Sequence, residues 1–244
     1  MNHTMLQAIS QFVKVLTANF LLAVKGYPLC ELCHQPCIKG SLVCSVCCDD
    51  LPRFDLTACQ ENLLNEPKIY RHLTKIKFQQ LLAFSSYQWP YNLWITQLKY
   101  SGRFEVAHLL ANLFAEHLHL SIAKSQLPEL IIPVPLHGLR LKKRQYNQAA
   151  LLAFELAKSL GCSYLENIIA RKKNTKPQVG QSGASRRKNL RGAFVLNTEV
   201  ELPEHVGIVD DVLTTGATVN EIAKLLTHHG VKKITVMSIC VATA

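Results

Sequence analysis

No hydrophobic run in the sequence is long enough to cross a bilayer. The apolar stretch over residues 12–24 is broken by Lys14 and falls short of the about 20 residues that a spanning helix needs. The chain also lacks a signal-peptide pattern, so a reducing, cytoplasmic setting is expected. It has no internal repeat and no low-complexity segment, which argues against a solenoid or a disordered tail. Cysteine is scarce over most of the length: seven of the nine fall between Cys30 and Cys59, and only Cys162 and Cys240 lie elsewhere. That distribution excludes a disulfide scaffold, and clustered thiols in a reducing compartment point to metal. Acids are scarce over residues 137–191, which hold 2 of the 17 acids but 13 of the 27 lysines and arginines. That segment carries +11 in a chain whose net charge is +10. So concentrated a basic segment implies a polyanionic partner, pyrophosphate, nucleic acid or an acidic membrane surface; a solvated basic loop is the plainer alternative.

What is present alternates. Residues 81–87 read as an edge strand ending before Pro90, and 91–99 and 104–124 as helices separated at Ser101 and Gly102. Residues 130–134 read as a buried strand, and 147–160 as a helix closed by Gly161. Strands are expected over 166–170, 193–196, 206–209 and 234–241, with a helix over 219–229. Such alternation means a parallel sheet with helices on both faces. Residues 171–191 are polar, basic and without period, and a loop of that length in a compact domain is usually functional. Met5, Leu6, Ile9, Phe12, Val13, Leu16, Phe20 and Val24 recur at helical spacing. That amphipathic helix serves core packing or, less well given the few cations on its polar face, a membrane surface. The expected division is a helix at 1–28, a cysteine module at 29–60, a connector and edge strand at 61–90, and the α/β domain at 91–244. Trp89 and Trp94 are expected in the core or under a lid.

The most specific stretch is Val206-Gly-Ile-Val-Asp-Asp-Val-Leu-Thr-Thr-Gly-Ala-Thr218. A buried strand ends in two acids, a loop of hydroxyls with one glycine follows, and a helix begins. Ligands of open α/β sheets sit beyond the carboxyl ends of the strands. There Asp210 and Asp211 would accept hydrogen bonds from two ribose hydroxyls, and Thr214, Thr215 and Thr218 would donate to phosphate. Gly216 permits close approach, and the first helical N–H groups, Ala217 and Thr218 among them, would meet the phosphate. An ordinary strand–turn–helix capped by threonine is the alternative. Over nine positions, Val209 to Ala217, the segment resembles the phosphoribosyl-pyrophosphate (PRPP) loop of the type I phosphoribosyltransferases.

Cys30-Glu-Leu-Cys33 and Cys44-Ser-Val-Cys47 are two Cys-x-x-Cys pairs, each able to form a knuckle that places two thiolates on one ion. A structural Zn²⁺ held by Cys30, Cys33, Cys44 and Cys47 is expected, with His34, Cys37, Cys48 and Cys59 as spare donors and free or redox thiols as the alternative. Four thiolates leave no open position on the ion. The module could still cover the sugar-phosphate site.

Three further constellations are weak alone. Residues 132–140, with Pro133 and Pro135, form a stiff loop able to hold an unusual peptide geometry, in which backbone N–H groups and Arg140 would grip pyrophosphate. His137 would donate there, or has no role. Arg144-Gln-Tyr-Asn-Gln148 opens the next helix, and Arg171, Thr175, Gln178, Arg186 and Arg187 follow. In this order, with the stretch from Lys99 to Arg103 and the segment from Val134 to Arg140, they resemble the ComF family of competence-associated, phosphoribosyltransferase-like proteins, over most of the chain from residue 28. That family has glycine at the position of Gln145, and glutamine suggests an ordinary backbone there.

The resemblance implies an α/β fold with a type I phosphoribosyltransferase-like parallel sheet and an N-terminal zinc-binding module. It also implies a role in natural transformation, handling single-stranded DNA at the inner face of the membrane. Three hypotheses remain open. One is an active phosphoribosyltransferase, with Mg²⁺ on the PRPP pyrophosphate and loop 171–191 closing over it. Another is a single-strand binder using the same site for a 5′-phosphate, with Lys99, Arg103, His137, Arg140, Arg144, Arg171, Arg186 and Arg187 on the strand or on pyrophosphate and Tyr146 as a stacking platform. The third is a PRPP-sensing regulator or an adaptor for a competence helicase. Fold alone does not choose among them.

Overall fold

The structure, a computed structural model, describes residues 28–136, 138–171, 192–196 and 200–243. The N-terminal amphipathic helix, His137, Thr175, Gln178, Arg186 and Arg187 lie outside the described residues. The chain divides into two compact units, Met1–Pro52 and Arg53–Ala244. This boundary precedes residue 60, where the cysteine module was expected to end. The Phe54 N–H donates to the Phe84 carbonyl at 2.9 Å, which ties the segment after Pro52 to the second unit.

In the first unit Leu29 and Pro36 form an isolated antiparallel bridge, and α1 (Ser45–Asp49) follows Cys44, whose sulfur accepts from the Cys47 N–H as its cap.

The second unit begins with the short helix α2 (Pro67–His72) and runs through β1 (Gln80–Ser86), α3 (Tyr91–Tyr100), α4 (Glu105–Ser121), β2 (Leu130–Pro133), α5 (Gly138–Arg144) and α6 (Gln148–Leu160). There follow β3 (Ser163–Tyr164), β4 (Ile169–Arg171), β5 (Phe194–Leu196), β6 (His205–Leu213), α7 (Ala217–His228) and β7 (Lys233–Val241). Five strands form one sheet in the order β1-β7-β6-β2-β3, and every pairing in it is parallel. β1 is an edge strand, as its sequence position suggested. β7 is buried along almost its whole length and β6 over residues 205–209, which is why both read as apolar runs and not as alternations.

Local signals set the helix ends. The Asn147 side chain accepts from the Ala149 N–H at the start of α6, and Gly161, at φ 69°, closes it in the left-handed conformation. α6 presents Leu152, Leu156 and Leu160 to the core and packs on β2, β6 and α4. Gly207 is required by packing: a Cβ there would lie 2.7 Å from Pro128 Cγ. Phe84, Tyr91, Trp94 and Phe114 form the aromatic part of the core, with Phe84 and Tyr91 edge to face at 5.6 Å. Trp94 packs there as expected, but Trp89 is 62% exposed.

Two strand placements are corrected. Residues 166–170 and 193–196 were read as strands of the parallel sheet. The strands there, β4 and β5, instead pair antiparallel in a separate two-stranded ribbon, and both are too short for their sequence pattern to reveal their partner. The short β3 joins the main sheet beside β2 and is too brief to carry a pattern. Among the described residues the cis bond is Trp89–Pro90, and the loop with Pro133 and Pro135 shows no cis peptide.

A buried polar chain crosses the far end of the sheet. His205 Nε2 lies 2.8 Å from Thr235 Oγ1, which donates to Gln80 Oε1 at 2.9 Å. Burial first, and Lys233 second, hold the His205 imidazole down at about 4. An unfolded histidine titrates at about 6.5, so as pH falls below that value the unfolded chain takes up the proton first and stability drops. The loss should reach about 2 kcal/mol by about pH 5 and saturate below about pH 4. Urea unfolding at about pH 7.5 and about pH 5 should show this loss in the parent and a flatter dependence in His205→Gln. Equal pH dependence in the two proteins would refute the assignment.

Candidate functional site

The candidate sugar-phosphate site gathers at the carboxyl ends of β6 and β2. β6 does not stop at Val209 as expected. Its ladder with β7 continues, pairing Asp210 with Ser238, Val212 with Cys240 and Leu213 with Val241. The two acids therefore stand within the last part of the strand and point to alternate sides of it. Asp210 Oδ1 accepts from the Asp211 N–H at 2.9 Å. Asp211 Oδ2 lies 2.9 Å from Lys99 Nζ, in an ion pair whose side chains are 13% and 20% exposed. Lys99 comes from the last turn of α3, so the pair joins that helix to the strand end.

After β6, Thr214 is exposed, and Thr215, Ala217 and Thr218 are half-buried. Gly216, at φ 73°, precedes α7 with no side-chain cap on the helix. The leading N–H groups of α7 therefore lack a side-chain acceptor, which suits an anion. The helix starts at Ala217, two residues before the position expected from its apolar period.

A side-chain clamp that the motif does not include fixes this loop. Buried Asn220 donates through Nδ2 to the Thr74 carbonyl at 2.7 Å and accepts at Oδ1 from the Lys77 N–H at 2.9 Å. The Thr74 N–H in turn donates to the Thr215 carbonyl at 3.2 Å. A polar residue on the buried face of an otherwise apolar helix was the one signal that could have found this clamp.

The candidate cations divide. Arg103 is held by Glu105 Oε1 at 2.8 Å and Gln97 Oε1 at 2.9 Å; its hydrogen bond keeps the Glu105 carboxyl below the usual range. Arg144 donates to Gln148 Oε1 at 2.8 Å and to the Tyr100 hydroxyl at 3.0 Å, with its guanidinium 4.8 Å over the Tyr100 ring. Arg140 lies on α5. Arg171 lies on β4, its guanidinium 5.5 Å over the Phe194 ring, in the ribbon whose β5 packs beside α7. Tyr146 is not an open stacking platform. Its hydroxyl donates to the Leu98 carbonyl, and Phe104 meets its ring edge to face at 4.7 Å. Asn147 Nδ2 donates to the Val134 carbonyl at 3.0 Å, and the Val134 N–H donates to the Val209 carbonyl at 2.9 Å. The 144–148 box thus ties together α3, β2 and α6.

Gln145 corrects the reading of an ordinary backbone. Its φ is 65°, in the left-handed region, and its N–H donates to the Leu141 carbonyl at 2.6 Å. It closes α5 where glycine would be favoured.

In the first unit the sulfurs of Cys30, Cys33, Cys44 and Cys47 all lie within 4.8 Å of one another. Cys33 and Cys44 are 3.7 Å apart, close to the edge of about 3.8 Å of a tetrahedron with metal–sulfur bonds of about 2.3 Å. The Cys44 N–H points at Cys30 Sγ at 3.4 Å, and the Cys47 N–H at Cys44 Sγ at 3.5 Å. Burial works against a Cys30 thiolate, but the N–H groups of Cys44, Cys33 and Leu32 outweigh it and bring the thiol down to about 6. The hydrogen bond to Cys33 pushes Cys47 up, since four crowded thiols cannot all ionise without a cation among them. The cluster is able to coordinate a metal ion. His34, Cys37 and Cys48 stand outside this set, and Cys59 belongs to the second unit.

The phosphoribosyl transferase domain model matches residues 146–244. The chain is 38% identical to the DNA utilization protein YhgH of Escherichia coli O157:H7, over 90% of this chain and 99% of that protein. It is 36% identical to competence protein F of Haemophilus influenzae, over 89% of this chain and 91% of that protein. Among solved structures, the glutamine PRPP amidotransferase of B. subtilis complexed with ADP and GMP matches 55% of this chain and 26% of that chain, at 19% identity and a TM-score of 0.37. So low an overlap carries no argument about the site. No helix among the described residues is long and apolar enough to cross a membrane.

The left-handed cap yields a stability test. A side chain at left-handed φ costs about 1–2 kcal/mol, against about 0.5–1 kcal/mol of extra entropy lost by glycine. Gln145→Gly should therefore leave stability unchanged or raise it by up to about 1.5 kcal/mol, whereas Gln145→Val should lower it. Thermal melts that rank valine at or above glycine would overturn the assignment.

Proposed function

The chain belongs to the ComF/YhgH family of competence proteins and carries a phosphoribosyltransferase-like domain, and from that premise we propose that it binds PRPP or a nucleotide 5′-phosphate and handles incoming single-stranded DNA. One observation carries the phosphate side of this reading: adjacent acids at the end of β6 lead through a left-handed glycine into an uncapped helix N-terminus. Asp210 and Asp211 accept from ribose hydroxyls. Thr214, Thr215 and Thr218 donate to the 5′-phosphate, together with the N–H groups of Ala217 and Thr218. Two neighbouring carboxylates would repel so anionic a ligand, and the Lys99 ammonium on Asp211 offsets that repulsion. Mg²⁺ bound with PRPP would screen the pyrophosphate. The names of the relatives and the +11 charge over residues 137–191 support the DNA side, with His137, Arg140, Arg144, Arg171, Arg186 and Arg187 as its cations, while Arg103 is committed to Glu105. The ion in the cysteine cluster is Zn²⁺, with a structural role, because four sulfurs close its coordination shell.

PRPP with Mg²⁺ should raise the melting temperature of the parent. Asp210→Asn alone and together with Asp211→Asn should abolish that shift while the unliganded proteins still melt cooperatively. Shifts as large as the parent's would rule the site out. Titrating single-stranded DNA and PRPP in competition should show that each weakens the other, with DNA affinity falling steeply as salt rises. DNA binding that PRPP leaves unchanged would separate the two sites.

Metal analysis of reduced, unchelated protein should give about one zinc per chain, lost in Cys30→Ser and Cys44→Ser along with much of the soluble yield. Metal-free parent protein would exclude the assignment.

A further inference from the structure

The described surface near the candidate site holds two exposed aromatic rings that the phosphate-binding reading does not use. Tyr100, the last residue of α3, is 65% exposed, and Phe104, just before α4, is 51% exposed. Neither ring is loosely placed. The Arg144 guanidinium lies over Tyr100 at 4.8 Å and donates to its hydroxyl. The Phe104 ring stands edge to face on Tyr146 at 4.7 Å, and the Tyr146 hydroxyl is anchored on the Leu98 carbonyl.

The charges around the rings are of two kinds. Lys99 and Arg103 are neutralised by Asp211 and by Glu105, the acid nearest the rings in sequence. Arg144 is held by a neutral amide, a neutral hydroxyl and a π face, and no carboxylate among the described residues pairs with it. Exposed Lys142 adds a second cation on α5. A guanidinium ordered by neutral partners keeps its full charge for an external anion, and its planar fork suits a phosphate. Rigid exposed rings, with the uncompensated Arg144 guanidinium against Tyr100 and a further cation on the same helix, match the two needs of a single strand, a stacking face for bases and a positive path for the backbone. A protein partner would need the rings but not the cations.

We propose that Tyr100 and Phe104 form a base-stacking platform for single-stranded nucleic acid whose phosphates run past Arg144 and Lys142. This rests on the DNA-handling reading and adds to it the residues that hold the bases.

The test uses the full chain and fluorescence anisotropy at one fixed salt concentration, with a labelled oligothymidylate and an abasic strand of equal length. One stacked base contributes at least about 1 kcal/mol, so the parent should bind the thymidylate at least about fivefold more tightly than the abasic strand. Tyr100→Leu and Phe104→Leu should each reduce that preference, and the double variant should erase it, with the salt dependence unchanged because no charge is removed. Tyr100→Phe, which keeps the ring, should retain the preference. Both positions are exposed, and unchanged melting temperatures would establish that the variants fold. A parent that binds both strands equally, or leucine variants that keep the preference, would overturn the platform and return the rings to protein docking, while DNA handling by charge alone would survive. Failure of the parent to bind either strand at low salt would remove the platform and the DNA-handling reading together.

Discussion

The double ladder of β6 is the constraint on which the second unit depends. Residues 206–209 pair with β2 on one side, and the strand pairs with β7 on the other from His205 to Leu213. A strand bonded on both edges has little freedom to shift register, and a shift of one residue would exchange the faces of Asp210 and Asp211. Everything at the candidate site inherits that fixed register. Lys99 meets Asp211 because α3 ends beside the strand. Asn220 reaches Thr74 and Lys77 because α7 leaves the strand through the left-handed Gly216. A Cβ on Gly216 would press against Leu73 at 3.3 Å, so the loop is confined from the α2 side as well. Its shape is held by the sheet and by the clamp.

What could be read in the sequence follows the range of the interactions involved. The boundaries of α6 were legible because Asn147 and Gly161 act within a few residues of themselves. The strand cores of β2, β6 and β7 were legible because burial on both faces leaves an apolar run. The extension of β6 past Val209 was not, since polar Asp210 and Asp211 interrupt the run and only the partner strand keeps the ladder going. The β4–β5 ribbon was not, since each strand is short and the pairing joins residues on either side of a long segment. The four sulfurs were legible as a set because the Cys-x-x-Cys spacing is itself the geometry of a knuckle.

The box at residues 144–148 shows a different kind of gap between motif and structure. Read as a motif, it suggested ligand contacts. In the fold most of its hydrogen bonds go to the protein: Tyr146 to Leu98, Asn147 to Val134, and Gln148 back to Arg144. The left-handed Gln145 makes this possible. It stops α5 at Arg144, so that Arg144 faces Tyr100 while Tyr146, beyond the turn, reaches the carbonyl of Leu98. Glycine would make this turn with less strain, and the hydrogen bond from the Gln145 N–H to Leu141 holds glutamine in the same shape.

That stitching bears on binding energetics. Ordering a rotamer-rich side chain at an interface costs about 0.5–1.5 kcal/mol, and an arginine loose in water incurs that cost each time it meets a phosphate. Arg144 has already incurred it in the free protein, through Gln148 and Tyr100. Lys99 is likewise fixed, but by a carboxylate, so its charge is already committed to Asp211. The two cations lie near the same turn of α3 and serve opposite ends: one quiets the acid pair at the end of β6, the other stays available. A site for a polyanion needs both, because uncompensated acids would repel the ligand and fully compensated cations would not attract it.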